Sequence, residues 1–381
     1  MAGIYIHIPF CKQACNYCNF HFSTSLRYKN ELLAALLKET ELQKDYLENE
    51  TVETIYFGGG TPSLLTIEDL KLQLDTLSQV FDITTGAEIT LEANPDDIDE
   101  DKLIGWKKIG INRLSIGVQS FFEEDLLWMN RAHNAQQSID NLQLASTLFD
   151  NITIDLIYGH PLLTDEKWRQ NVEQVISFDI PHLSCYALTV EPKTPLQKLI
   201  LEKKKENIQQ EKQAEHFLLL MQWLEDAGYE HYEISNFSKP GYRSRHNTSY
   251  WQGKKYLGLG PSAHSFDGKS RQWNISNNNI YTASLSKNEI PFEREMLTPV
   301  EQLNEYIMTS LRTKEGLDLA RVRSSEFGPD SHRDQSQDLE IRSQKFINEG
   351  KMILIENKLI LTREGKLFAD GIAAELFIDP V

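Results

Sequence analysis

Six apolar, β-branched runs recur through the first half of the chain, at Ile4–Ile8, Thr54–Phe57, Ile89–Glu92, Arg113–Val118, Ile152–Tyr158 and Leu183–Thr189. Helical patterns separate them, at Asn30–Tyr46, Ile67–Val80, Asp101–Lys108, Gln136–Phe149 and Lys167–Ser177. This rhythm is the strongest constraint on the fold. Strands that alternate with helices at such spacing form parallel βα units. Thr66-Ile67-Glu68-Asp69 has the form of a capping box and sets the start of the second helix. Each run ends in a turn rich in polar residues or glycine, which suits a closing barrel better than an open sheet. The expected fold is α/β, a partial (β/α)6 barrel of the TIM type, with its active face built from those turns.

The rhythm breaks after the sixth run. A charged helix is expected over about Asn207–Ala227, then a short strand at Tyr229–Ile234. An irregular, aromatic-rich stretch follows from Ser235 to about Trp273, and residues 274–279 read as a loop. From Thr298 helix returns, and two short strands, Met352–Ile355 and Lys358–Leu361, complete a winged-helix-like α+β pattern. The expected division is therefore a barrel over 1–200, a connecting region over 201–290 and a C-terminal module over 291–381.

Charge and cysteine usage narrow the chemistry. Lysine and arginine number 39 against 56 acids, a formal charge of −17, which argues against general nucleic-acid binding. The one dense basic run, Lys203-Lys204-Lys205, is flanked by glutamates and reads as a solvated helix face. No apolar stretch is long enough for a membrane span, and Met1–Pro9 reads as a strand with no basic lead-in, so a cytoplasmic protein is expected. Of four cysteines, three crowd into Cys11–Cys18 and Cys185 stands alone. Disulfides do not suit this context. Three thiols in one short loop point to a metal or a cluster.

Cys11, Cys15 and Cys18 have the spacing C-x3-C-x2-C directly after the first strand. Thiolates suit an iron–sulfur cluster and zinc alike, and His21 could complete a Cys3His zinc site. The spacing combined with the barrel rhythm resembles the radical S-adenosylmethionine superfamily. That resemblance implies a [4Fe–4S] cluster on the three cysteines, with one iron left open to bind S-adenosylmethionine. Further residues at strand ends match the oxygen-independent coproporphyrinogen III oxidases and their relatives within that superfamily. Gly59, Gly60 and Thr61 follow the second strand, and such a stretch receives the ligand's amino group. Glu92 ends the third strand, Gln119 the fourth, and Arg131 follows in Met129-Asn130-Arg131. Asp155 lies in the fifth strand and Ala187 after the sixth, while Tyr5 precedes the cysteines and Tyr17 lies between Cys15 and Cys18. Carboxylates suit ribose hydroxyls and a guanidinium suits the ligand carboxylate.

Two kinds of protein share this pattern, a decarboxylating oxidase and a haem chaperone. In the oxidases a further cysteine follows the third by two residues; here Phe20 stands there. The oxidases also carry an N-terminal extension, whereas this sequence opens on its first strand. His246-Asn247-Thr248-Ser249-Tyr250-Trp251 has the form H-N-x-x-Y-W associated with haem binding in the chaperones. Imidazole is a common haem ligand, and Tyr250 and Trp251 offer flat faces to a macrocycle. The resemblance therefore implies haem contact by His246, Asn247, Tyr250 and Trp251, with Arg243 and Arg245 near the propionates. The partners it implies are haem, haem-acceptor proteins and a reductant or electron-donor protein; a homodimer is left open. Cys185 reads as a buried small hydrophobe, and His264 has no role derivable from sequence.

Overall fold

The computed structural model describes residues 2–324 and 332–379. Six parallel strands run in chain order: β1 (Ala2–Ile8), β2 (Val52–Gly59), β3 (Ile83–Ala93), β4 (Arg113–Gln119), β5 (Ile152–Tyr158) and β6 (His182–Ala187). Helices Lys29–Leu42, Ile67–Val80, Glu100–Lys108, Ala135–Leu148 and Asp165–Ser177 connect them. The box at Thr66 forms as expected: Asp69 N–H donates to Thr66 Oγ1 at 3.0 Å and Thr66 N–H to Asp69 Oδ2 at 3.2 Å.

Alternation along the strands decides what lies on each face. Ile4, Ile6, Ile8, Ile55, Phe57, Leu91, Leu114, Ile116, Ile154, Leu156, Leu183 and Cys185 are buried in the main core under the helices. The alternate positions face the barrel interior, and they are polar or aromatic: Tyr5 and His7, Tyr56, Glu88 and Glu92, Arg113 and Ser115, Thr153 and Asp155, His182 and Ser184. The main apolar core thus lies outside the barrel, and its interior is left for chemistry.

The stretch expected to be an irregular connection is ordered into the same sheet. The short strand expected at Tyr229–Ile234 forms as β7 (Glu230–Glu233), and with β8 (Asn236–Ser238) it extends the β6 edge antiparallel. Beyond β1, β9 (Tyr256–Leu259) adds in parallel, followed by β10 (His264–Phe266), β11 (Ser270–Asn274) and β12 (Phe292–Met296) in antiparallel order. Twelve strands result, in the order β12-β11-β10-β9-β1-β2-β3-β4-β5-β6-β8-β7. The helix Asn278–Leu285 starts within the last residues of the 274–279 stretch expected as a loop. Strands β8 to β12 are only three to five residues long and carry few β-branched residues, so local propensity gave little sign of them.

The C-terminal module has its own core of Leu303, Ile307, Leu339, Phe346, Met352, Leu359 and Ile372. Helices Pro299–Leu311, His332–Asn348 and Ala369–Leu376 surround a small sheet of β13 (Leu317–Asp318), β14 (Met352–Ile355) and β15 (Lys358–Leu361). Polar contacts join it to the barrel: Arg271 Nε donates to Glu305 Oε1 at 2.5 Å, Arg243 Nη1 to Glu315 Oε1 at 2.7 Å and Arg363 Nη1 to Gln222 Oε1 at 2.7 Å.

Candidate functional site

The loop after β1 places all three crowded cysteines on one cavity of about 440 Å³ at the C-terminal ends of the barrel strands. Cys11, Cys15 and Cys18 are each half-buried, while Cys185 is buried in β6. The loop is clamped rather than self-supporting. Asn16 N–H donates to Met129 O at 3.0 Å, Asn130 Nδ2 to Ala14 O at 2.7 Å and Gln13 Nε2 to Asn130 Oδ1 at 3.0 Å. Asn130 adopts a left-handed conformation (φ 58°), which turns this segment towards the cysteines. On the other side Lys12 pairs with Asp96 at 2.8 Å and with Asp97.

Nine of the ten residues expected around S-adenosylmethionine line the same cavity: Tyr17, Gly59, Gly60, Thr61, Glu92, Gln119, Arg131, Asp155 and Ala187. Tyr5 does not; it lines the neighbouring cavity, its hydroxyl 3.2 Å from His7 Nδ1. Glu92 accepts from Tyr56 OH at 2.8 Å and from Gly59 N–H at 3.1 Å. Burial, reinforced by the nearby Asp155, pushes the Glu92 carboxyl up to about 7, and burial pushes Asp155 up to about 6. Two buried carboxyls short of compensating charge suit a ligand rich in hydrogen-bond donors.

Arg131 is the hub. Its Nη2 donates to Asn94 Oδ1 and Gly117 O, both at 2.8 Å, and its Nη1 lies 3.2 Å from Cys15 Sγ and 3.4 Å from Tyr17 OH. Arg131 Nε, also buried, has no hydrogen-bond partner among the described residues. Gly60 has no room for a side chain, since a Cβ there would stand 2.6 Å from Phe10 O and 2.7 Å from Ile8 O. The backbone there is packed directly against the cysteine loop.

These features fit the implied groups. Burial raises the Cys11 thiol to about 11 and also raises Cys18, so a ligated metal must draw off their protons. Among the described residues no three His, Cys, Asp or Glu side chains converge closely enough for a single ion. His21, the fourth ligand of the zinc alternative, has its Nε2 2.7 Å from Asn278 Oδ1. An iron–sulfur cubane, which spreads its thiolates wider than one zinc ion does, suits the spacing better.

The expected haem contacts divide. His246, on the helix Arg245–Trp251, is buried among the N-terminal halves of the strands and not at the cavity. Its Nδ1 is 2.8 Å from Thr54 Oγ1 and its Nε2 2.8 Å from Tyr250 OH. Its backbone N–H and that of Arg245 donate to the Glu88 carboxylate at 2.9 and 3.0 Å. Burial and the Arg113 charge lower its pKa to about 3, which keeps it neutral. His246 does not line the larger cavity: its ring bridges Thr54 of β2 and Tyr250. Asn247 lines neither cavity; its backbone N–H is held by the Ser244 cap at 3.2 Å. Arg243 is likewise engaged, with Glu230 and Glu315 at 2.7 Å each, and Arg245 Nη1 donates to Gly86 O. Tyr250 and Trp251 do line a second cavity of about 930 Å³, between β1, the β9–β11 edge and the C-terminal module. Sequence reading overlooked Tyr56, Asn94 and Ser115, all of them at alternate strand positions or just beyond a strand end, where the period-2 pattern would have placed them.

The comparisons with known proteins follow this geometry. The family model of the Radical SAM superfamily matches residues 5–175, and that of the HemN C-terminal domain matches residues 297–368. A heme chaperone HemW of Bacillus subtilis (strain 168) is 34% identical, over 84% of this chain and 86% of its own length. A heme chaperone HemW of Mycobacterium tuberculosis is 31% identical, over 98% of this chain and 94% of its own. The solved coproporphyrinogen III oxidase HemN of Escherichia coli, a radical SAM enzyme, superposes with a TM-score of 0.85 at 22% identity, over 99% of this chain and 90% of its own, a likeness of fold. With its three-cysteine barrel and its HemN-type C-terminal domain, the chain belongs to the radical SAM family of the HemW heme chaperones.

Proposed function

We propose that this protein holds haem beside a [4Fe–4S] cluster with exchangeable S-adenosylmethionine and passes the haem to acceptor proteins. The observation that carries this reading is the pair of adjoining cavities, which share Asn19 and Phe20 as a common wall. One cavity is lined by the three cysteines; the other is large and bordered by Tyr5, Tyr250, Trp251, Tyr256, Phe266 and Tyr306. Flat aromatic faces around a cavity of about 930 Å³ match a macrocycle. The naming of the relatives supports the same ligand.

Cys11, Cys15 and Cys18 would hold the cluster, which when bound supplies an electron to a sulfonium. The remaining roles belong to the chain. Backbone groups of Gly59 and Gly60 receive the amino group of the ligand, while Arg131 meets its carboxylate. Glu92 and Asp155 take ribose and amine hydrogens, for which their raised pKa values imply unmet demand. No helix among the described residues is long and apolar enough to cross a membrane.

The testing experiment has two arms. Haemin titration of the purified chain should saturate at about one haem per chain. Anaerobic incubation with coproporphyrinogen III, S-adenosylmethionine and a reductant should give no protoporphyrinogen IX, because Phe20 replaces the oxidases' further cysteine. Conversion in the second arm would establish an oxidase, to which the larger cavity would then belong as a substrate site.

A further inference from the structure

The larger cavity is bordered by three histidines, His7, His21 and His264, with His246 behind its Tyr250 wall. Their ring nitrogens are not equally available. His7 has Nε2 2.9 Å from His21 O and Nδ1 3.2 Å from Tyr5 OH. His21 has Nε2 tied to Asn278, and His246 has both nitrogens tied. Neither nitrogen of His264 has a hydrogen-bond partner among the described residues, and the ring is exposed.

The backbone of His264 is fixed even though its ring is free. A Cβ on Gly258 would fall 2.0 Å from His264 O, so β9 and β10 pack backbone to backbone there. Ser265 Oγ accepts from Gly258 N–H at 2.9 Å, and Ser262 turns the chain with φ 66°. The ring itself is steadied against Trp273 with centroids 6.1 Å apart. A rigid backbone carrying an unengaged imidazole is what an axial metal ligand requires.

Resting on the haem reading above, we propose that His264 is the axial ligand to the iron of a haem held in this cavity. Partial burial at the cavity wall and the neighbouring Arg271 lower the pKa of His264, which favours the neutral, ligating form of the ring. Phe266, two residues along β10, and Tyr256 beside it face the cavity as macrocycle contacts, their rings 6.2 Å apart. Lys269, just before β11, supplies positive charge for a propionate, while Arg271 on β11 is held by Glu305 at the cavity wall. This assigns the iron to the glycine-rich segment Gly258–His264 and leaves the H-N-x-x-Y-W helix as the wall behind it.

The test is haemin titration of the full chain and of His264→Ala, His21→Ala and His246→Ala. It is read by the Soret band and by electron paramagnetic resonance of the ferric haem, which is separable from the cluster. The expected result is that His264→Ala alone loses the histidine-ligated signature and binds haemin roughly tenfold or more weakly. Added imidazole should restore that signature in His264→Ala. The apo form of this variant should melt like the wild type, since its ring makes no hydrogen bond. An unchanged signature in His264→Ala, or its loss on His21→Ala or His246→Ala in its place, would overturn the assignment while leaving the haem reading intact. Failure of the wild type to bind haemin would remove both.

Discussion

At the scale of single residues, the proposed roles separate groups that would touch the cofactors from groups that hold those residues in place. Replacing Cys11, Cys15 or Cys18 by alanine should remove cluster iron and its broad visible absorbance together. Cys185→Ala should keep both and cost only about 1–2 kcal/mol of stability as a small cavity in β6; iron and sulfide analysis with a denaturant melt checks both halves. Asp155→Asn should weaken S-adenosylmethionine binding roughly ten- to a hundredfold without emptying the cluster. Arg131→Gln should do both, because its guanidinium also contacts Cys15 and Tyr17; full cluster occupancy in that variant would contradict this role. His246→Ala should cost roughly 3 kcal/mol of stability, since it orphans Thr54 and Tyr250 in a buried space. A melt of the apo chain measures this without reference to haem.

At the scale of elements, the helix Lys29–Leu42 is tied to the β9–β11 edge through one buried carboxylate. Glu39 accepts from Gly260 N–H at 2.8 Å, Asn274 Nδ2 at 2.6 Å and Tyr281 OH at 2.5 Å. Burial outweighs these donors and pushes its pKa up to about 7. A carboxyl that is harder to ionise in the folded state binds protons more tightly there than in the unfolded chain. Its contribution to stability is therefore present at pH 4–5, falls as pH rises, and is gone above about 7. A displacement of this size amounts to something on the order of 3 kcal/mol. Glu39→Gln should be destabilised at all pH values, because its amide hydrogens face donors, and the penalty should be larger at pH 5 than at pH 8. Equal penalties at both pH values would show that Glu39 is not the titrating group. The tie matters for function because Gly260 lies in the segment that positions His264.

At the scale of the whole molecule, the larger cavity draws its walls from both the barrel and the C-terminal helix Pro299–Leu311, through Glu305, Tyr306 and Met308. A ligand there binds only the docked form. Haemin at about a hundred times its Kd should add about 2.7 kcal/mol of apparent stability, and barrel and module should melt later together. Calorimetry showing the shift in only one of two separate transitions would place haem elsewhere. Asn19 and Phe20 wall both cavities, so the one loop after β1 borders each of them.

What the sequence determined by itself is what rests on local periodicity and short-range spacing. The period-2 and period-3.6 runs specified six βα units, and the strands β5, β14 and β15 and the helix Ile67–Val80 start and end where those patterns do. The cysteine spacing likewise carried its meaning within eight residues, and the strand-end residues converge on one cavity because a parallel barrel brings its C-terminal ends together. Tertiary structure decided the rest. Strands β8 to β12 are too short to show a period, and they exist because the open edges at β1 and beside β6 offer unpaired backbone groups. The motif around His246 signals a function, yet a motif cannot show which way an imidazole points. Glu88, Thr54 and Tyr250, distant from one another in the chain, draw that ring inward, while the close packing of Gly258 on His264 leaves another ring facing the cavity. Ring orientation is a property of long-range contacts, and no local sequence pattern encodes it.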